Sequence, residues 1–476
     1  MEIRYDAVVI GSGAAGSVMA YKLANQGLKV LVVERGARQD PTTFEHNELA
    51  MLPRVYKQGG LQTTADHDIS IIQGQAVGGS TVINNAIWLR ADLDRVLPAW
   101  AQAGAPVPRE ALERAYSELE AALHVVPVSP TLANKGTSVF LRGANALGIQ
   151  ANYLNNNRRE CLGCGWCNYG CRYNRKTSML VTFIPWAEQC GATILDNCMN
   201  ARVVMNGSTA SGVRFHRNGQ DIFACAERVV VCAGAIGSSE ILLQSGITNH
   251  GRVGQGLHIL GGVIMTAETD EIQDGFDGIG LTAVAHASDD YVIESYFAPP
   301  LVFSLALGGW FLTHFRRMQR YRYFVQAGVM CGTQPNGSVR LDKKGRARID
   351  LAFGEQDMGR LRRGMRTLAG IFFAGGATRV IPATYKLLEC AREEDIDQFD
   401  EQIHRPDDLL IGSAHPQGGN AMSEDPRRGV VGPDFAVHGT QNLFVADASV
   451  FPTNIWANCQ ATVMGMSHYA AGFIAR

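Results

Sequence analysis

The sequence predicts an α/β chain that combines a dinucleotide-binding unit with a second, antiparallel sheet. Residues 6–10 (DAVVI) form a short apolar run typical of a buried parallel strand, and glycines at positions 11, 13 and 16 follow at once. The stretch GSVRLDKKGRARIDLAF has alternating flanks around a turn at residues 342–345 and predicts a β-hairpin. A chain of 476 residues is long enough for two or more domains.

The composition is that of an ordinary globular protein. Hydrophobic residues make up 46% of the chain, charged residues 18%, and the formal net charge is -2. Because there is no basic field to hold phosphate groups, the composition argues against a nucleic-acid partner.

The N-terminus, MEIRYDAVVIGSG, enters a strand almost at once. No positively charged region, apolar region and small-residue cleavage site precede that strand. This predicts a cytoplasmic protein with reduced thiols, in which eleven cysteines indicate metal binding or catalysis rather than disulfides. Export bound to a signal-bearing partner stays open.

The first strand, the glycines and a second strand (KVLVVE) have the order of a nucleotide-binding fold. Gly11 is expected to make the tight turn, Gly13 to let a pyrophosphate approach, and Gly16 to allow close helix packing. Glu34 ends the second strand and is expected to bind the ribose hydroxyls.

Three further stretches resemble one known family. They are GQAVGGSTVINNAIWLR (residues 74–90), CAGAIGSSEILLQSG (232–246) and NLFVADASVFPTNIWANCQATVMGMSHYAA (442–471). Their sequence and order are similar to the signatures of the glucose–methanol–choline (GMC) flavin oxidoreductases. The resemblance covers the whole chain and implies FAD, bound in an extended and buried form.

The resemblance implies a discontinuous, Rossmann-like FAD-binding domain with an inserted α+β substrate domain on an antiparallel sheet. The predicted domains are residues 1–95, 186–260 and 405–476 for FAD, an insertion at 96–185, and residues 261–404 for substrate. The implied cofactor contacts are Gly11, Gly13, Gly16 and Glu34 at the ADP half, Gly78, Gly79, Ser80 and Asn84 or Asn85 at the isoalloxazine or its linker, the backbone of Val203 at the adenine, Ala233 and Gly234 along the nucleotide, and Asp447 by the pyrophosphate or ribityl chain.

The loop GSAHPQGGNAM carries the candidate base, His415. Alcohol oxidation by flavin requires a group that takes the hydroxyl proton while hydride leaves carbon. The resemblance assigns that role to His415 and implies that Asn458 orients the substrate oxygen. Cys459 stands where the family usually has proline, and Asn420 where it often has cysteine.

Four cysteines, Cys161, Cys164, Cys167 and Cys171, occur in the stretch CLGCGWCNYGC. Their C-x2-C-x2-C-x3-C spacing is that of bacterial ferredoxins and favours an iron–sulfur cluster of the 4Fe–4S or 3Fe–4S type. Structural zinc, which usually takes two separated cysteine pairs, and free thiols are the alternatives. Arg172, Arg175 and Lys176 are expected to offset the negative thiolates.

The leading function is FAD-dependent oxidation of an alcohol to an aldehyde or ketone. Electrons would leave singly through the cluster to an external acceptor, which would be a cytochrome, a quinone or a partner subunit. Family branches that act on long-chain alcohols or sugars carry a related cysteine stretch. The alternatives are an oxygen-using alcohol oxidase with a structural zinc or thiol loop, and a non-catalytic electron-relay flavoprotein.

An apolar stretch at residues 297–315, FAPPLVFSLALGGWFLTHF, is followed by four arginines up to position 322. Such a segment is typical of a peripheral membrane contact or of the gate of an apolar tunnel. A buried cap helix with a solvated basic end is the alternative. The segment favours a lipophilic substrate, while fatty alcohol, sterol and sugar all stay open.

Overall fold

The computed structural model describes the whole chain, Met1–Arg476, and confirms the predicted α/β fold. Twenty strands form: β1 (Glu2–Ile10), β2 (Val30–Val33), β3 (Ile69–Ile71), β4 (Ile87–Trp88), β5 (Val125–Pro127), β6 (Ala151–Tyr153), β7 (Asn155–Asn157), β8 (Thr193–Leu195), β9 (Met199–Asn206), β10 (Thr209–Arg217), β11 (Gln220–Val231), β12 (Gln255–Glu268), β13 (Leu281–Ala285), β14 (Val292–Tyr296), β15 (Phe324–Gly332), β16 (Gly337–Leu341), β17 (Ala347–Asp350), β18 (Arg379–Pro382), β19 (Ile411–Gly419) and β20 (Leu443–Val445).

Twelve α-helices connect and cover these strands: α1 (Ala14–Ala24), α2 (Glu48–Val55), α3 (Leu93–Gln102), α4 (Arg109–Leu123), α5 (Gly136–Ala146), α6 (Phe183–Gln189), α7 (Gly234–Gln244), α8 (Pro300–Ala306), α9 (Phe311–Met318), α10 (Glu355–Ala374), α11 (Gln398–Gln402) and α12 (Gln460–Ile474). None of them combines the length and the apolar character needed to span a bilayer.

The first sheet carries the nucleotide-binding unit. Its strands run in the order β8-β2-β1-β11-β10-β9, and β20 pairs with β11. β1 is parallel to β2 and β11, and β20 is also parallel to β11, so the carboxyl ends of these four strands share one edge. β2 and the last four residues of β1 are buried without alternation, as predicted for strands covered on both faces.

The second sheet carries His415. Its order is β17-β16-β12-β15-β14-β13-β6, with β18 and β19 on β12 and with β3 on β19. Its pairs are antiparallel except β19 with β3. In the register of β19 on the long strand β12, His415 lies opposite Leu260. Helices α5 and α10 cover this sheet, and their apolar faces complete a second core of 39 buried residues.

The predicted hairpin is confirmed, with β16 and β17 pairing antiparallel from Ser338–Asp350 to Leu341–Ala347. The domain boundaries stay a prediction. β3 and β19 lie within segments predicted for the FAD domain, yet both pair in the second sheet. Residues 297–315 form parts of two short helices, α8 and α9, rather than one cap helix.

Candidate active site

The glycine turn after β1 is so close to neighbouring backbone that side chains are excluded. Gly11 has φ +100°, and a Cβ atom on it would lie 2.5 Å from the Cys232 carbonyl oxygen. A Cβ atom on Gly16 would lie 1.9 Å from the Gly11 carbonyl oxygen. Gly13, by contrast, borders open space, with only the Gly79 Cα atom at 3.9 Å from such a Cβ. The turn therefore packs tightly at Gly11 and Gly16 and leaves room for a ligand at Gly13.

The second glycine stretch closes over this turn. A Cβ atom on Gly79 would lie 2.7 Å from the Gly13 Cα atom, so the two backbones approach as only glycines permit. The Gly78 N–H donates to Ser12 Oγ at 3.1 Å. The structure thus brings together two predicted site segments that are some 65 residues apart, while Ser80 Oγ accepts from the Gly74 N–H at 3.0 Å.

Glu34 is buried beside the turn. Its carboxylate accepts hydrogen bonds from the Ser12 N–H at 2.9 Å, the Ser12 hydroxyl at 2.8 Å and the Gly36 N–H at 2.7 Å. Burial raises the pKa of this carboxyl, while the hydrogen bonds act in the opposite direction. Glu34 therefore supports the glycine turn directly, and its contact with ribose stays a prediction.

Asp447 joins the C-terminal segment to the start of α7. Its carboxylate accepts from the Gly234 N–H at 2.8 Å, the Ser238 hydroxyl and the Ser449 N–H at 2.8 Å. Burial raises the pKa of this carboxyl, and the hydrogen bonds oppose that shift. This buried acid is fully hydrogen-bonded, as burial of a polar group requires. It holds Gly234 at the edge of the first sheet where the parallel strands end, and the contact of Ala233 and Gly234 with the nucleotide stays a prediction.

The predicted FAD contacts at Val203 and at Asn84 or Asn85 differ in the protein groups that surround them. Val203 lies in β9 and donates its N–H to Ser245 Oγ at 2.9 Å, so its place at the adenine stays a prediction. The Asn84 amide contacts Gln460 and accepts from the Ala86 N–H at 3.0 Å. The Asn85 amide oxygen is buried without a protein partner. Of the two asparagines, Asn85 is therefore the better candidate for a ligand contact.

His415 lies half-buried on β19. Burial lowers the pKa of its imidazole to about 4, so that the ring is neutral at pH 7 and has a lone pair to accept a proton. Its Nδ1 lies 3.6 Å from Cys459 Sγ. Cys459 directly follows Asn458, so His415 lies next to the segment that carries Asn458, and their joint role in catalysis stays a prediction.

A carboxyl group that the sequence interpretation missed, Glu294 of β14, completes this site. The Asn458 amide nitrogen donates to a Glu294 carboxylate oxygen at 3.4 Å. Burial raises the pKa of Glu294 to about 7. Glu294 stands in a largely apolar and aromatic stretch, YVIESYF, but only the structure shows that its side chain is buried.

The four cysteines of residues 161–171 surround one cavity, here called the cysteine pocket, which Arg158 and Lys176 also line. Three of the sulfur atoms accept hydrogen bonds: Cys161 from the Gly163 N–H at 3.5 Å, Cys167 from the Arg158 guanidinium at 3.4 Å, and Cys171 from the Arg175 N–H at 3.2 Å. All eleven cysteines are free thiols. No three His, Cys, Asp or Glu side chains are grouped closely enough to hold a metal ion.

The charges at the cysteine pocket differ in part from the prediction. Lys176 is buried there as expected, but Arg172 is exposed and Arg175 pairs with Glu160 at 2.7 Å. Arg158, which the sequence interpretation missed, supplies the second buried cation. Burial alone would raise the pKa of the Cys167 thiol, but Arg158 and Lys176 bring it below its ordinary value. Burial raises the pKa values of Cys161 and Cys164.

The family comparison agrees with this geometry. Two models described as GMC oxidoreductase, for the N-terminal and C-terminal parts of the family, match residues 51–260 and 333–467. The chain belongs to the GMC oxidoreductase family. A model of an NAD(P)-binding Rossmann-like domain also matches residues 9–44, where the glycine turn lies. The resemblance predicted from three motifs is therefore confirmed, and the chain is an oxidoreductase of this family.

Relatives of this GMC oxidoreductase span its whole length. A GMC-type oxidoreductase of Mycobacterium tuberculosis is 29% identical over 98% of this chain and 75% of the relative. A long-chain-alcohol oxidase of Arabidopsis thaliana is 26% identical over 98% of this chain and 66% of the relative.

Solved structures share the fold. Pyridoxine 4-oxidase from Mesorbium loti superposes with a TM-score of 0.73 at 18% identity, covering 98% of each chain. A formate oxidase from Aspergillus oryzae gives 0.76 at 17% identity, covering 99% of this chain and 98% of the other.

The residues of this GMC oxidoreductase fit FAD, the cofactor of the family. Besides the open space at Gly13, several buried polar atoms lack a protein partner, although buried polar groups are normally hydrogen-bonded. They lie in the first and third family signatures or follow His415 in the chain, and are the Asn85 Oδ1, Gln417 Nε2, Asn420 Oδ1 and Nδ2, Thr453 Oγ1 and Asn458 Oδ1 atoms. A ligand rich in donors and acceptors would satisfy these groups, which is what the isoalloxazine and ribityl parts of FAD offer.

Proposed function

We propose that this GMC oxidoreductase oxidises an alcohol to an aldehyde or ketone, with His415 as the base. The observation that carries the proposal is a neutral His415 on β19 at the same site as Asn458 and Glu294. FAD, when bound at the two glycine stretches, supplies the hydride acceptor. Gly13, Gly79, Asn85 and Asp447 are the residues that would hold it.

His415 takes the hydroxyl proton of the alcohol. Because Nδ1 faces Cys459, we assign Nε2 as the ring nitrogen that accepts the hydroxyl proton of the alcohol. A pKa of about 4 keeps the imidazole unprotonated at pH 7, and the proton is transferred as negative charge develops on the substrate oxygen. Asn458 binds that oxygen and fixes its orientation, and Glu294 in turn orients the Asn458 amide.

The ferredoxin spacing of the four cysteines favours an iron–sulfur cluster as the route by which electrons leave, although their side chains are not grouped closely enough to hold a metal ion in this structure. Four cysteines at ferredoxin spacing border one cavity, backbone N–H groups donate to two of the sulfur atoms, and two buried cations face them. A cluster held by Cys161, Cys164, Cys167 and Cys171 would accept electrons singly and pass them to a cytochrome, a quinone or a partner subunit.

A second candidate is an oxidase that reduces oxygen directly. The names of proteins similar to this chain favour the oxidase hypothesis, because long-chain-alcohol oxidase, pyridoxine 4-oxidase and formate oxidase are all oxidases. In that case the cysteine pocket would be a structural zinc site or a set of free thiols. Analysis of iron, acid-labile sulfide and zinc in anaerobically purified protein separates the two.

A lipophilic alcohol, reached at a membrane surface, is the proposed substrate class. Helix α9 and the residue before it expose four apolar side chains to solvent: Trp310, Phe311, Leu312 and Phe315. Phe311 is 91% exposed. The buried Arg317 side chain holds this segment in place by contacting Glu389 and the Gly308 carbonyl oxygen. Arg316 is exposed on the same helix and supplies a positive charge next to the apolar group.

Anaerobic addition of alcohols tests the proposal as a whole. Straight-chain primary alcohols of increasing length are mixed with the purified yellow protein, and flavin absorbance near its visible maximum is followed. Bleaching by long-chain alcohols, with turnover in a dye-linked assay, is expected. A bound flavin that no alcohol bleaches would instead indicate an electron relay.

A further inference from the structure

The imidazole of His415 has one hydrogen-bonding partner in the protein, the thiol of Cys459. The Sγ atom lies 3.6 Å from the Nδ1 atom of the ring, which is a hydrogen-bonding distance for sulfur. The His415 backbone N–H donates to Ser413 Oγ at 3.0 Å and so fixes the main chain rather than the ring. No carboxylate contacts the imidazole, so its orientation depends on Cys459.

Both members of this contact are neutral at pH 7. Burial raises the pKa of the Cys459 thiol to about 12, and it lowers the pKa of the His415 imidazole to about 4. A neutral imidazole carries one N–H group and one lone pair, and the hydrogen bond made at one ring nitrogen decides which nitrogen holds the hydrogen. The contact with Cys459 therefore bears on the tautomer of His415.

The segment that carries Cys459 is held in place on both sides. The Cys459 carbonyl oxygen accepts from the Val463 N–H at 2.9 Å and so belongs to the first turn of α12. Upstream, the Ile455 N–H donates at 3.2 Å to the Oε1 atom of Gln417, which is fully buried on β19 two residues after His415. The strand that carries His415 thus also fixes the segment that presents the thiol.

The backbone at position 459 does not require a cysteine. Its φ is -75°, close to the value that proline fixes, and its N–H donates to no protein group. Proline, which the GMC family usually has at this position, would therefore suit this backbone. The thiol adds a contact with His415 that proline is unable to make.

We propose that Cys459 is a positioning residue that holds the ring hydrogen of His415 on Nδ1 and directs the Nε2 lone pair towards the substrate hydroxyl. The inference rests on the proposed role of His415 as the base. Because Cys459 covers Nδ1, the hydroxyl proton is taken by Nε2, and the ring hydrogen then lies on Nδ1, where Sγ accepts it. In the opposite arrangement the thiol donates to Nδ1, so that Nε2 carries the hydrogen and has no lone pair for the alcohol.

Nitrogen NMR of the full-length protein, purified with FAD bound and labelled at its histidines, tests the inference. The signal of His415 is identified by its absence in His415→Ala, and in the wild type it should show hydrogen on Nδ1. Cys459→Ala should give a mixture of the two tautomers and lower kcat by roughly 2–10-fold, the loss expected for one hydrogen bond, while KM stays near the wild-type value. Cys459→Ser, whose hydroxyl also accepts, should restore both. Cys390→Ala is the matched control, because Cys390 is a buried cysteine without a histidine contact.

The outcomes separate this inference from the proposed function. Near-normal turnover of His415→Ala with full FAD contradicts the proposed base, and the inference with it. An inactive His415→Ala, together with a wild-type ring that carries hydrogen on Nε2, overturns the inference alone, and so does an unchanged tautomer in Cys459→Ala. Should Cys459→Ala fail to fold, Cys459→Val decides in its place, because valine fills a similar volume without a group that accepts the ring hydrogen.

Discussion

The amide nitrogen of Asn458 lies 3.4 Å from a carboxylate oxygen of Glu294, where the C-terminal segment meets the second sheet. The remaining side-chain oxygen of each residue has no protein partner. An ionised carboxylate holds the NH2 group of the amide, whereas a protonated one donates to the amide oxygen and leaves the NH2 group for substrate. Because burial raises the pKa of Glu294 to about 7, we predict that the orientation of the Asn458 amide changes with pH near neutrality.

Glu294→Gln should remove this dependence. Wild-type kcat/KM is expected to fall as pH rises through about 7, because ionised Glu294 draws the NH2 group of Asn458 away from the substrate oxygen. The variant should show a flat profile between pH 6 and 8. Glu271→Gln, at an exposed position, is the control. Wild-type activity that is constant over this range would contradict the proposed role.

The same substitution should change how the free energy of unfolding depends on pH. Burial raises the folded-state pKa of Glu294 from 4.5 to about 7, so the protonated form stabilises the fold at low pH. The unfolded carboxyl ionises near 4.5, so this contribution declines as pH rises above about 4.5 and is gone once the buried group ionises at about 7. The resistance of the wild type to urea should therefore fall between pH 4.5 and 7 more than that of Glu294→Gln. Equal losses of unfolding free energy in the two proteins would mean that a group other than Glu294 titrates in this range.

His415→Ala should lower kcat by roughly 10²–10⁴-fold, because the proton acceptor is lost. FAD content should stay at the wild-type level, since other segments form the glycine turns. In the wild type, activity should hold from neutral pH down to about 5 and fall towards pH 4, where His415 becomes protonated. His250→Asn, an exposed histidine, is the control. Near-normal turnover in the alanine variant with full FAD would assign the base to another residue.

Cys164→Ser should lose or damage the proposed cluster, because thiolate ligands are difficult to replace. Anaerobic bleaching of the flavin by substrate should survive, whereas turnover with a one-electron acceptor should collapse. Stopped-flow reduction and steady-state assays are compared with iron analysis. Cys190→Ser, outside the pocket, should behave as the wild type. If turnover persists after the iron is gone, the cluster serves stability only.

The apolar group on α9 should bind lipid. Phe311→Ser with Leu312→Ser is expected to reduce cosedimentation with vesicles of phosphatidylcholine and phosphatidylglycerol several-fold, and to raise KM for long-chain alcohols more than for short ones. Leu61→Ser removes a similarly exposed leucine elsewhere and should have no effect. Vesicle binding that is unchanged in the double variant would remove α9 from the interaction.

The parts of the site that depend on local pattern could be predicted from sequence. Gly11 and Gly16 were found because a turn that excludes Cβ atoms leaves a glycine signature, whereas Asp447 came from the resemblance to the family signatures. Glu294 and Arg158 were missed because their importance arises from burial. In a single sequence a charged residue is normally taken as solvent-facing, and only the packing of other segments reveals that it is enclosed.

The first sheet contains strands from the N-terminal and the C-terminal parts of the chain, so it can be completed only late in synthesis. The glycine turn and Glu34 leave the ribosome early, but Asp447 and α12, whose Ser467 hydroxyl donates to the Ala15 carbonyl oxygen at 2.8 Å, come last. At a synthesis rate of roughly 5–20 residues per second, the early segments wait on the order of 20–80 s for these partners. Once β11 has emerged, the edge that later receives β20 lies unpaired until the C-terminal segment arrives, so this edge is exposed to pairing with other chains during synthesis.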